Sequence, residues 1–163
     1  MVAKGPLVGV VMGSVSDWDC LRKASRLLDD VSVSHEVRII SAHRTPERLR
    51  DYGLGVEARG IKVVIAGAGG SAHLPGMLAS YSLLPIIGVP MVSSFQDGVD
   101  SLLSIVNMPA GVGVATMAVG DKGAVNGALL AVSILSLEDR ALRERLRAWR
   151  HHQTESVPEC PPS

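Results

Sequence analysis

Short apolar runs alternate with amphipathic segments along most of the chain. Five apolar runs predict β-strands, at residues 7–12, 34–40, 62–66, 84–88 and 113–118. Segments with apolar residues three or four positions apart predict helices, at residues 17–30, 45–59, 72–81, 97–107, 123–137 and 138–152. Strands that alternate with helices in this way form parallel sheets with helices on both faces. The pattern therefore predicts an α/β fold.

This alternation continues without a shift in composition and without an internal repeat. We therefore predict a single domain over residues 1–156, in a chain of 163 residues that is long enough for a substantial hydrophobic core. Residues 157–163 hold three prolines, and we predict that this tail is disordered.

Two of the predicted helices carry more apolar surface than one small domain can readily cover. The helix at 123–137 is apolar around most of its circumference, which is typical of a helix buried on all sides. The helix at 138–152 aligns Leu142, Leu146 and Trp149 along one stripe. We predict a homo-oligomer from these two helices, and a monomer with a thick core is the alternative.

Composition and charge narrow the class of protein. Lys and Arg balance Asp and Glu at 16 each, so no net field attracts nucleic acid or an anionic membrane. No apolar run approaches the roughly 20 residues of a membrane span, and residues 7–12 lead directly into polar residues, unlike a signal peptide. Cys20 and Cys160 are isolated and show neither a disulfide framework nor a metal-binding spacing. We therefore expect a cytoplasmic protein.

Three turns that each follow a predicted strand carry the candidate chemistry, because open α/β sheets bind ligands at the carboxyl ends of their strands. The first turn, residues 13–18, brings Ser14, Ser16 and Asp17 to a helix start, where free backbone N–H groups suit a phosphate. Asp17 would repel phosphate, so we expect it to bind sugar hydroxyls. Simple capping of the helix by Ser16 or Asp17 is the alternative. Trp18 is expected to pack under the first helix.

The second turn, Ser41-Ala42-His43-Arg44-Thr45-Pro46, combines an acid–base group with a cation. Arg44 can bind a phosphate through two parallel hydrogen bonds, and His43 can give and take a proton near neutral pH. The alternative is a surface histidine and arginine in a turn capped by Thr45. The first turn follows a predicted strand that is adjacent to the strand before this second turn. We therefore favour one binding site formed by both turns.

The third turn is rich in glycine, and residues 67–72 match the permissive dinucleotide fingerprint G-x-G-x-x-A. The turn follows the third strand rather than the first, and no acidic residue ends the next strand. We therefore favour close approach of the backbone to a flat ring or a small anion. His73, at the next helix start, either binds a substrate group or has a structural role. We assign structural or solvent-facing roles to His35, His151 and His152.

Four motifs occur in a fixed order: Gly13-Ser14-x-Ser16-Asp17-Trp18, Ser41-Ala42-His43-Arg44-Thr45-Pro46, Ala66-Gly67-Ala68-Gly69-Gly70 with Ala72-His73-Leu74-Pro75-Gly76-Met77, and Asp100-Ser101-Leu102-Leu103-Ser104-Ile105-Val106. In this order they resemble class I of the aminoimidazole ribonucleotide carboxylase family, the N5-carboxyaminoimidazole ribonucleotide mutases of bacterial de novo purine biosynthesis. The resemblance covers roughly residues 6–155.

The resemblance implies a three-layer, flavodoxin-like domain that assembles as a homo-octamer, with the C-terminal helix used in oligomerisation. It implies an isomerase that moves a carboxyl group from N5 to C4 of the substrate, through decarboxylation, a trapped CO2 and recarboxylation, with no metal or organic cofactor. It assigns proton transfer to His43. It assigns substrate binding to Ser14, Ser16, Asp17, Ser41, Arg44, Gly69, Gly70, Ala72, His73 and Leu74.

Three positions depart from the family pattern. Asn107 and Gly113 stand where Gln and Pro are expected, and Gly127 stands where Ala is usual. We expect these departures to affect loop rigidity or stability rather than function.

Two other functions remain as alternatives. One is a class II carboxylase that uses CO2 directly; it is disfavoured because Ala72-His73-Leu74-Pro75-Gly76 is retained. The other is a non-enzymatic, flavodoxin-like nucleotide-binding module. A receiver module of that kind would need a phosphoacceptor Asp after the third strand, where this chain has Ala66-Gly67-Ala68.

Overall fold

A computed structural model describes residues 5–161, and within them the predicted succession of strands and helices is confirmed. The strands are β1 (Val8–Met12), β2 (His35–Ile39), β3 (Val63–Ala68), β4 (Ile86–Pro90) and β5 (Ala115–Thr116). The helices are α1 (Trp18–Asp30), α2 (Pro46–Gly55), α3 (Leu74–Tyr81), α4 (Val99–Val106), α5 (Asp121–Leu135) and α6 (Arg140–Glu155). Residues 1–4 of the predicted domain and residues 162–163 of the predicted tail lie outside the described residues.

The five strands form one parallel sheet in the order β2-β1-β3-β4-β5. This is the strand order of flavodoxin-like folds, so the predicted fold class is confirmed. β1 pairs with both neighbours through the same residues: Val8 lies opposite His35 on one side and opposite Val63 on the other. The shared register brings the carboxyl ends of β1, β2 and β3 to one edge of the sheet.

Helices cover both faces of the sheet and make three layers. α1, α5 and α6 pack on one face, where their buried side chains meet Val63 and Ile65 of β3. α2, α3 and α4 pack on the other face against Val64 and Ala66. Because successive side chains of β3 point to opposite faces and both faces are covered, this strand is a continuous apolar run.

Several element boundaries differ from the predictions. β3 and β4 each end two residues later than predicted, because their ladder continues through Gly67 opposite Val89 and Ala68 opposite Pro90. α2 ends at Gly55 rather than at residue 59, and the chain then closes a turn at Gly60, whose φ is +86°. β5 keeps only two residues of its predicted run because β4 offers it a partner only there.

The oligomer was predicted from the apolar surface of two helices, which are α5 and α6 in the structure. Much of that surface is buried within a single chain. The α5 residues Ala124, Ala128 and Val132 are fully buried, and no large hydrophobic residue of α5 is more than partly exposed. Leu142 and Leu146 of α6 are also buried against this core. Exposed apolar side chains occur on α4 and just before it, at Val92, Phe95, Val99, Leu103 and Val106, and at scattered positions elsewhere, among them Val15, Ile39, Leu54, Leu83 and Leu137. α4 and the loop before it therefore carry several of the exposed apolar side chains.

Among the helices of residues 5–161, none combines the length and the apolar character needed to cross a membrane.

Gly123 marks the closest backbone approach at the start of α5. A Cβ on this residue would overlap the carbonyl oxygen of Ala118 and lie 2.8 Å from its carbonyl carbon. Gly113, one of the three departures from the family pattern, has nothing within 4 Å of its Cβ position, and its φ lies outside the left-handed region.

We predict that Gly123→Ala lowers the free energy of unfolding by about 1–3 kcal/mol, because backbone atoms must move to admit the methyl group. Helix propensity alone would give the opposite sign, a gain of about 1 kcal/mol. Gly113→Ala is the control, with an expected gain of about 0.4–1 kcal/mol from reduced freedom of the unfolded chain. Urea unfolding of both variants measures the difference, and a Gly123→Ala variant as stable as the wild type would contradict the predicted overlap.

Candidate active site

The three sequence-predicted turns meet at the carboxyl edge of the sheet. They follow β1, β2 and β3, and the backbone N–H of Gly13 donates to the carbonyl of Gly67 at 3.2 Å, which joins the first turn to the third. β2 lies on one side of β1, and β3, β4 and β5 lie on the other, so the strand order reverses between β1 and β3. Open α/β sheets bind their ligands at such a point. A cavity of about 470 Å³ opens at this point.

Nearly all the predicted site residues line this cavity. The ones that do are Ser14, Ser16, Asp17, Ser41, His43, Arg44, Gly69, Gly70, His73 and Leu74. Ala72 does not: its side chain is fully buried in the core beneath the third turn. Its predicted contact with substrate therefore has no support in the geometry.

The first turn forms a capping box before α1. Ser14 Oγ accepts hydrogen bonds from the backbone N–H and the hydroxyl of Ser16, at 3.3 and 2.9 Å. Asp17 Oδ2 in turn accepts from the backbone N–H of Ser14 at 3.0 Å. Ser14 therefore caps the short 3-10 turn Val15–Asp17 that leads into α1, with the Asp17 carboxylate as the second half of the box. Asp17 stands at the N-cap position of α1 but makes no side-chain cap there. The three side chains are held together at the cavity wall.

In the second turn, Ser41 orients Arg44. Ser41 Oγ accepts from the backbone N–H of Arg44 at 3.3 Å and from its Nε at 3.1 Å. Thr45 stands at the N-cap position of α2, but its hydroxyl donates to the carbonyl of Ser41 and makes no side-chain cap, so the capped turn of the alternative interpretation lacks its cap bond. Within residues 5–161 no carboxylate lies within ion-pair distance of Arg44. This exposed guanidinium is therefore available to an anion.

The two histidines of the site bond to each other. His43 Nε2 lies 2.8 Å from His73 Nδ1, and the rings meet edge to face with centroids 4.9 Å apart. One of the two facing nitrogens must carry the proton and the other must accept it. The pair therefore holds one positive charge at most while its hydrogen bond is intact. Such a pair can release a proton to a bound molecule and take one back.

The third turn is tight, and its glycines make the tightness possible. Gly70 has a φ of +65°, in the left-handed region. A Cβ on Gly69 would lie only 3.3 Å from the Cβ of Met91. The turn then leads into α3, with the backbone N–H of His73 donating to the carbonyl of Ser71 at 2.8 Å. Bare backbone therefore forms this wall of the cavity.

Sequence reasoning missed several lining residues. Val92 and Ser93 line the cavity because they follow β4, whose carboxyl end lies beside that of β3. Because the sequence predicted that β4 ends at Gly88, Val92 and Ser93 were not recognised as the residues that follow its carboxyl end. Ala42, Ala68 and Ser71 also line the cavity, and their positions inside the predicted turns were the available signal.

Other side chains singled out in the sequence have structural roles. Trp18 packs against the core under α1, as predicted, and does not line the cavity. His35 Nε2 lies 2.6 Å from Ser25 Oγ, which joins β2 to α1. Burial and the nearby carboxylate of Asp121 raise the pKa of the Cys20 thiol to about 12, so Cys20 is not a nucleophile at neutral pH.

No three His, Cys, Asp or Glu side chains among the described residues group closely enough to hold a metal ion.

Asp17 is a partly buried carboxyl group at the cavity wall. Burial raises the pKa of Asp17 above its ordinary value, and hydrogen bonds from Ser14, Ser16 and Gly13 offset only part of that rise. A carboxyl group whose pKa is raised by folding destabilises the fold in its charged form. This cost is absent when the pH is below the ordinary pKa of an Asp carboxyl group. It grows as the pH rises toward and through the raised pKa of Asp17 in the folded protein.

We predict that Asp17→Asn raises the free energy of unfolding at neutral pH, because Asn keeps the acceptor for Ser14 and removes the buried charge. The gain should vanish below about pH 4, where the wild-type carboxyl is protonated in both states. Denaturant unfolding across the pH range measures this profile.

Asp121→Asn is the matched control with the opposite sign. In the wild type, a hydrogen bond from Lys23 to the Asp121 carboxylate lowers the pKa of Asp121, so the charged form of this carboxyl group stabilises the fold. Loss of that charge should decrease stability at neutral pH, and the difference should shrink as acid protonates the wild-type carboxyl. Parallel pH profiles for the two variants would contradict these assignments.

Comparison with known proteins identifies the family and agrees with this fold. A sequence model of the AIR carboxylase family matches residues 7–156. A protein of Brucella melitensis named N5-carboxyaminoimidazole ribonucleotide mutase is 54% identical over 154 residues, which is 94% of this chain and 95% of that protein. A protein of the same name from Escherichia coli K12 is 49% identical over 154 residues, 94% of this chain and 91% of that one.

Among solved structures, the crystal structure of Treponema denticola PurE superimposes with a TM-score of 0.83 at 30% identity and covers 92% of both chains. The family match spans nearly the whole chain and includes every turn that lines the cavity. The chain therefore belongs to the AIR carboxylase family.

Proposed function

We propose that this protein is an N5-carboxyaminoimidazole ribonucleotide mutase, an isomerase of de novo purine biosynthesis that forms 4-carboxy-5-aminoimidazole ribonucleotide. Relatives with about half of their residues identical over nearly the full chain carry this name. The observation that carries the proposal is the 2.8 Å hydrogen bond between His43 and His73, in a cavity that also holds Arg44. No cofactor takes part in the proposed chemistry.

The first two turns are proposed to bind the ribonucleotide part of the substrate. Arg44 supplies the cation for the phosphate. Its Nε donates to Ser41 Oγ, so the two outer guanidinium nitrogens are left to bind the phosphate. Ser14 and Ser16 add hydroxyl donors beside the start of α1, where backbone dipoles favour an anion. Asp17 is the acceptor proposed for the sugar hydroxyls.

His43 is proposed to carry one proton through both halves of the reaction. It first protonates N5 while the bond from N5 to the carboxyl carbon breaks, so the bond electrons stay on nitrogen and CO2 is released. C4 of the imidazole then attacks CO2, and a new carbon–carbon bond forms. His43 finally takes the proton from C4, which restores the aromatic ring and the starting charge of the enzyme. An imidazole can both donate and accept a proton, which suits both tasks.

His73 is proposed to support this cycle from the neighbouring ring. Its Nδ1 faces His43 Nε2, so it can accept a proton from His43 or donate one to it along the hydrogen bond. The glycine turn and Leu74 are proposed to surround the imidazole and the carboxylate. This wall keeps CO2 beside C4 and excludes water, and position alone then favours recarboxylation.

Class II carboxylase activity is the second candidate, since it belongs to the same family. The retained Ala72-His73-Leu74-Pro75-Gly76 motif and the names of the relatives that are about half identical favour the mutase. Enzymatic names throughout those relatives also weigh against a non-enzymatic nucleotide-binding module.

We predict that the purified protein converts the N5-carboxylated ribonucleotide to its C4-carboxylated isomer, and that His43→Asn lowers kcat by at least about a hundredfold because the proton carrier is lost. Nucleotide binding by His43→Asn should persist, because Arg44 is intact. Absorbance assays of turnover and calorimetric titration with the ribonucleotide measure the two effects.

His151→Asn, on the exposed surface of α6, is the control and should match the wild type. Consumption of aminoimidazole ribonucleotide with CO2 or bicarbonate, together with no reaction of the N5-carboxylated compound, would establish the class II alternative. Full turnover by His43→Asn would remove His43 from the chemistry.

The proposal also includes a homo-octamer in the cytoplasm. The exposed apolar side chains around α4 supply surface for subunit contacts, and α6 is the other candidate. Light scattering at micromolar concentration should give eight times the 17.1 kDa of one chain. Leu103→Glu should lower that mass if α4 lies in the interface, whereas an unchanged mass would place Leu103 outside it. A monomeric wild type would contradict the assembly.

A further inference from the structure

The fourth sequence motif, residues 100–106, has no part in the chemistry proposed above. It spans most of α4, which packs behind the glycine turn rather than inside the cavity. Ser101 is nevertheless completely buried, and among the described residues only Ser136 is another buried polar side chain. A buried hydroxyl needs hydrogen-bond partners, so what Ser101 contacts defines its role.

Ser101 and Ser104 hold both backbone groups of Gly70. Ser101 Oγ accepts from the backbone N–H of Gly70 at 2.9 Å. Ser104 Oγ lies 3.1 Å from the carbonyl oxygen of Gly70, to which it donates, and 2.8 Å from the carbonyl of Asp100. Glycine has more conformational freedom than any other residue, so its own backbone does not select the left-handed turn. The two serines supply that selection from α4.

Asp100 extends the same network to a second wall of the cavity. Its Oδ1 accepts from the backbone N–H of Ser101 at 2.8 Å and from the hydroxyl of Ser93. Ser101 Oγ lies 3.4 Å from the same oxygen, which orients its lone pairs toward Gly70. Ser93 lines the cavity in the loop after β4. One carboxylate therefore joins the β4 loop to the glycine turn.

We propose that Asp100, Ser101 and Ser104 form a brace that positions the Gly69–Gly70 wall of the site, with Ser101 as its central positioning residue. The inference rests on the proposed mutase function, because this wall is the one that confines CO2 between the two half-reactions. A loosened wall lets CO2 escape to water before C4 attacks it. The brace therefore acts on the fate of CO2 more than on the binding of the ribonucleotide, which the other two turns provide.

Label retention tests the role in catalysis. Substrate with a carbon-13 carboxyl group is converted in unlabelled bicarbonate with carbonic anhydrase present, and mass spectrometry measures the label in the C4-carboxylated product. The wild type should retain its label. Ser101→Ala should release most of it as CO2, with kcat reduced by up to about a hundredfold and KM little changed. Ser104→Ala removes the hydroxyl that reaches the carbonyls of Gly70 and Asp100 but leaves the bond from the Gly70 N–H to Ser101 intact, so it should have a smaller effect.

Two further variants separate positioning from general loss of stability. Asp100→Asn keeps an oxygen that accepts from Ser93 and Ser101, so it should retain far more label than Asp100→Ala. Ser136→Ala removes the other buried serine hydroxyl, which donates to the carbonyl of Ser133 at 2.8 Å, away from the cavity. It should retain label as the wild type does. Equal retention in Ser101→Ala and the wild type would overturn the proposal.

Hydrogen exchange tests the brace without reference to the reaction. The amide of Gly70 should exchange faster in Ser101→Ala than in the wild type, and at the wild-type rate in Ser136→Ala. Unchanged exchange in Ser101→Ala would overturn the brace. A wild type that made no C4-carboxylated product would overturn the proposed function, and the exchange experiment would still decide whether α4 holds the turn.

Discussion

Parallel pairing of β1 with both β2 and β3 is the constraint on which the site depends. Because Val8 is in register with His35 on one side and Val63 on the other, three strands end at the same height. The three turns that follow then open toward one another at the edge of the sheet. A slip of one residue would turn every side chain of the slipped strand to the opposite face and would disrupt the packing of the helices on both faces of the sheet. The core on both faces therefore enforces the geometry of the cavity.

Contact between the histidines follows from that arrangement. His43 lies in the turn after β2, and His73 lies at the end of the longer turn after β3, 30 residues further along the chain. β1 separates these two strands in the sheet, so the longer glycine turn has to reach across the end of β1 to His43. The left-handed conformation of Gly70 lets the turn take this path. Hydrogen bonds from Ser101 and Ser104 of α4 to the backbone of Gly70 keep it in place. The site is thus assembled from loops, and the helix behind them supplies rigidity.

Sequence reasoning reached the turns that follow strands but not the parts of the site that depend on packing. His43, Arg44 and Asp17 were accessible because turn chemistry and helix starts are local signals. Ser93 was missed because the end of β4 depends on its ladder with β3, which no local pattern records. Ala72 was assigned to the site although it faces the core, since neighbours in a tight turn point in different directions. Ser101 stood in the fourth sequence motif, but no local pattern showed that its hydroxyl meets the backbone of Gly70, 31 residues away in the chain.

The sequence by itself determined the α/β fold, the order of its elements and the three turns, because hydrophobic periodicity and glycine placement act over a few residues. Tertiary structure alone decided that His43 and His73 form one hydrogen-bonded pair, that Ser14 caps the first turn, and that one face of α5 is buried by its own chain. Each of these depends on atoms brought together by the closed register of the sheet and the packing of helices on it. The register of the sheet and the packing of the helices set the distances between residues that are far apart in the chain. The conformational preferences of short segments do not encode these distances.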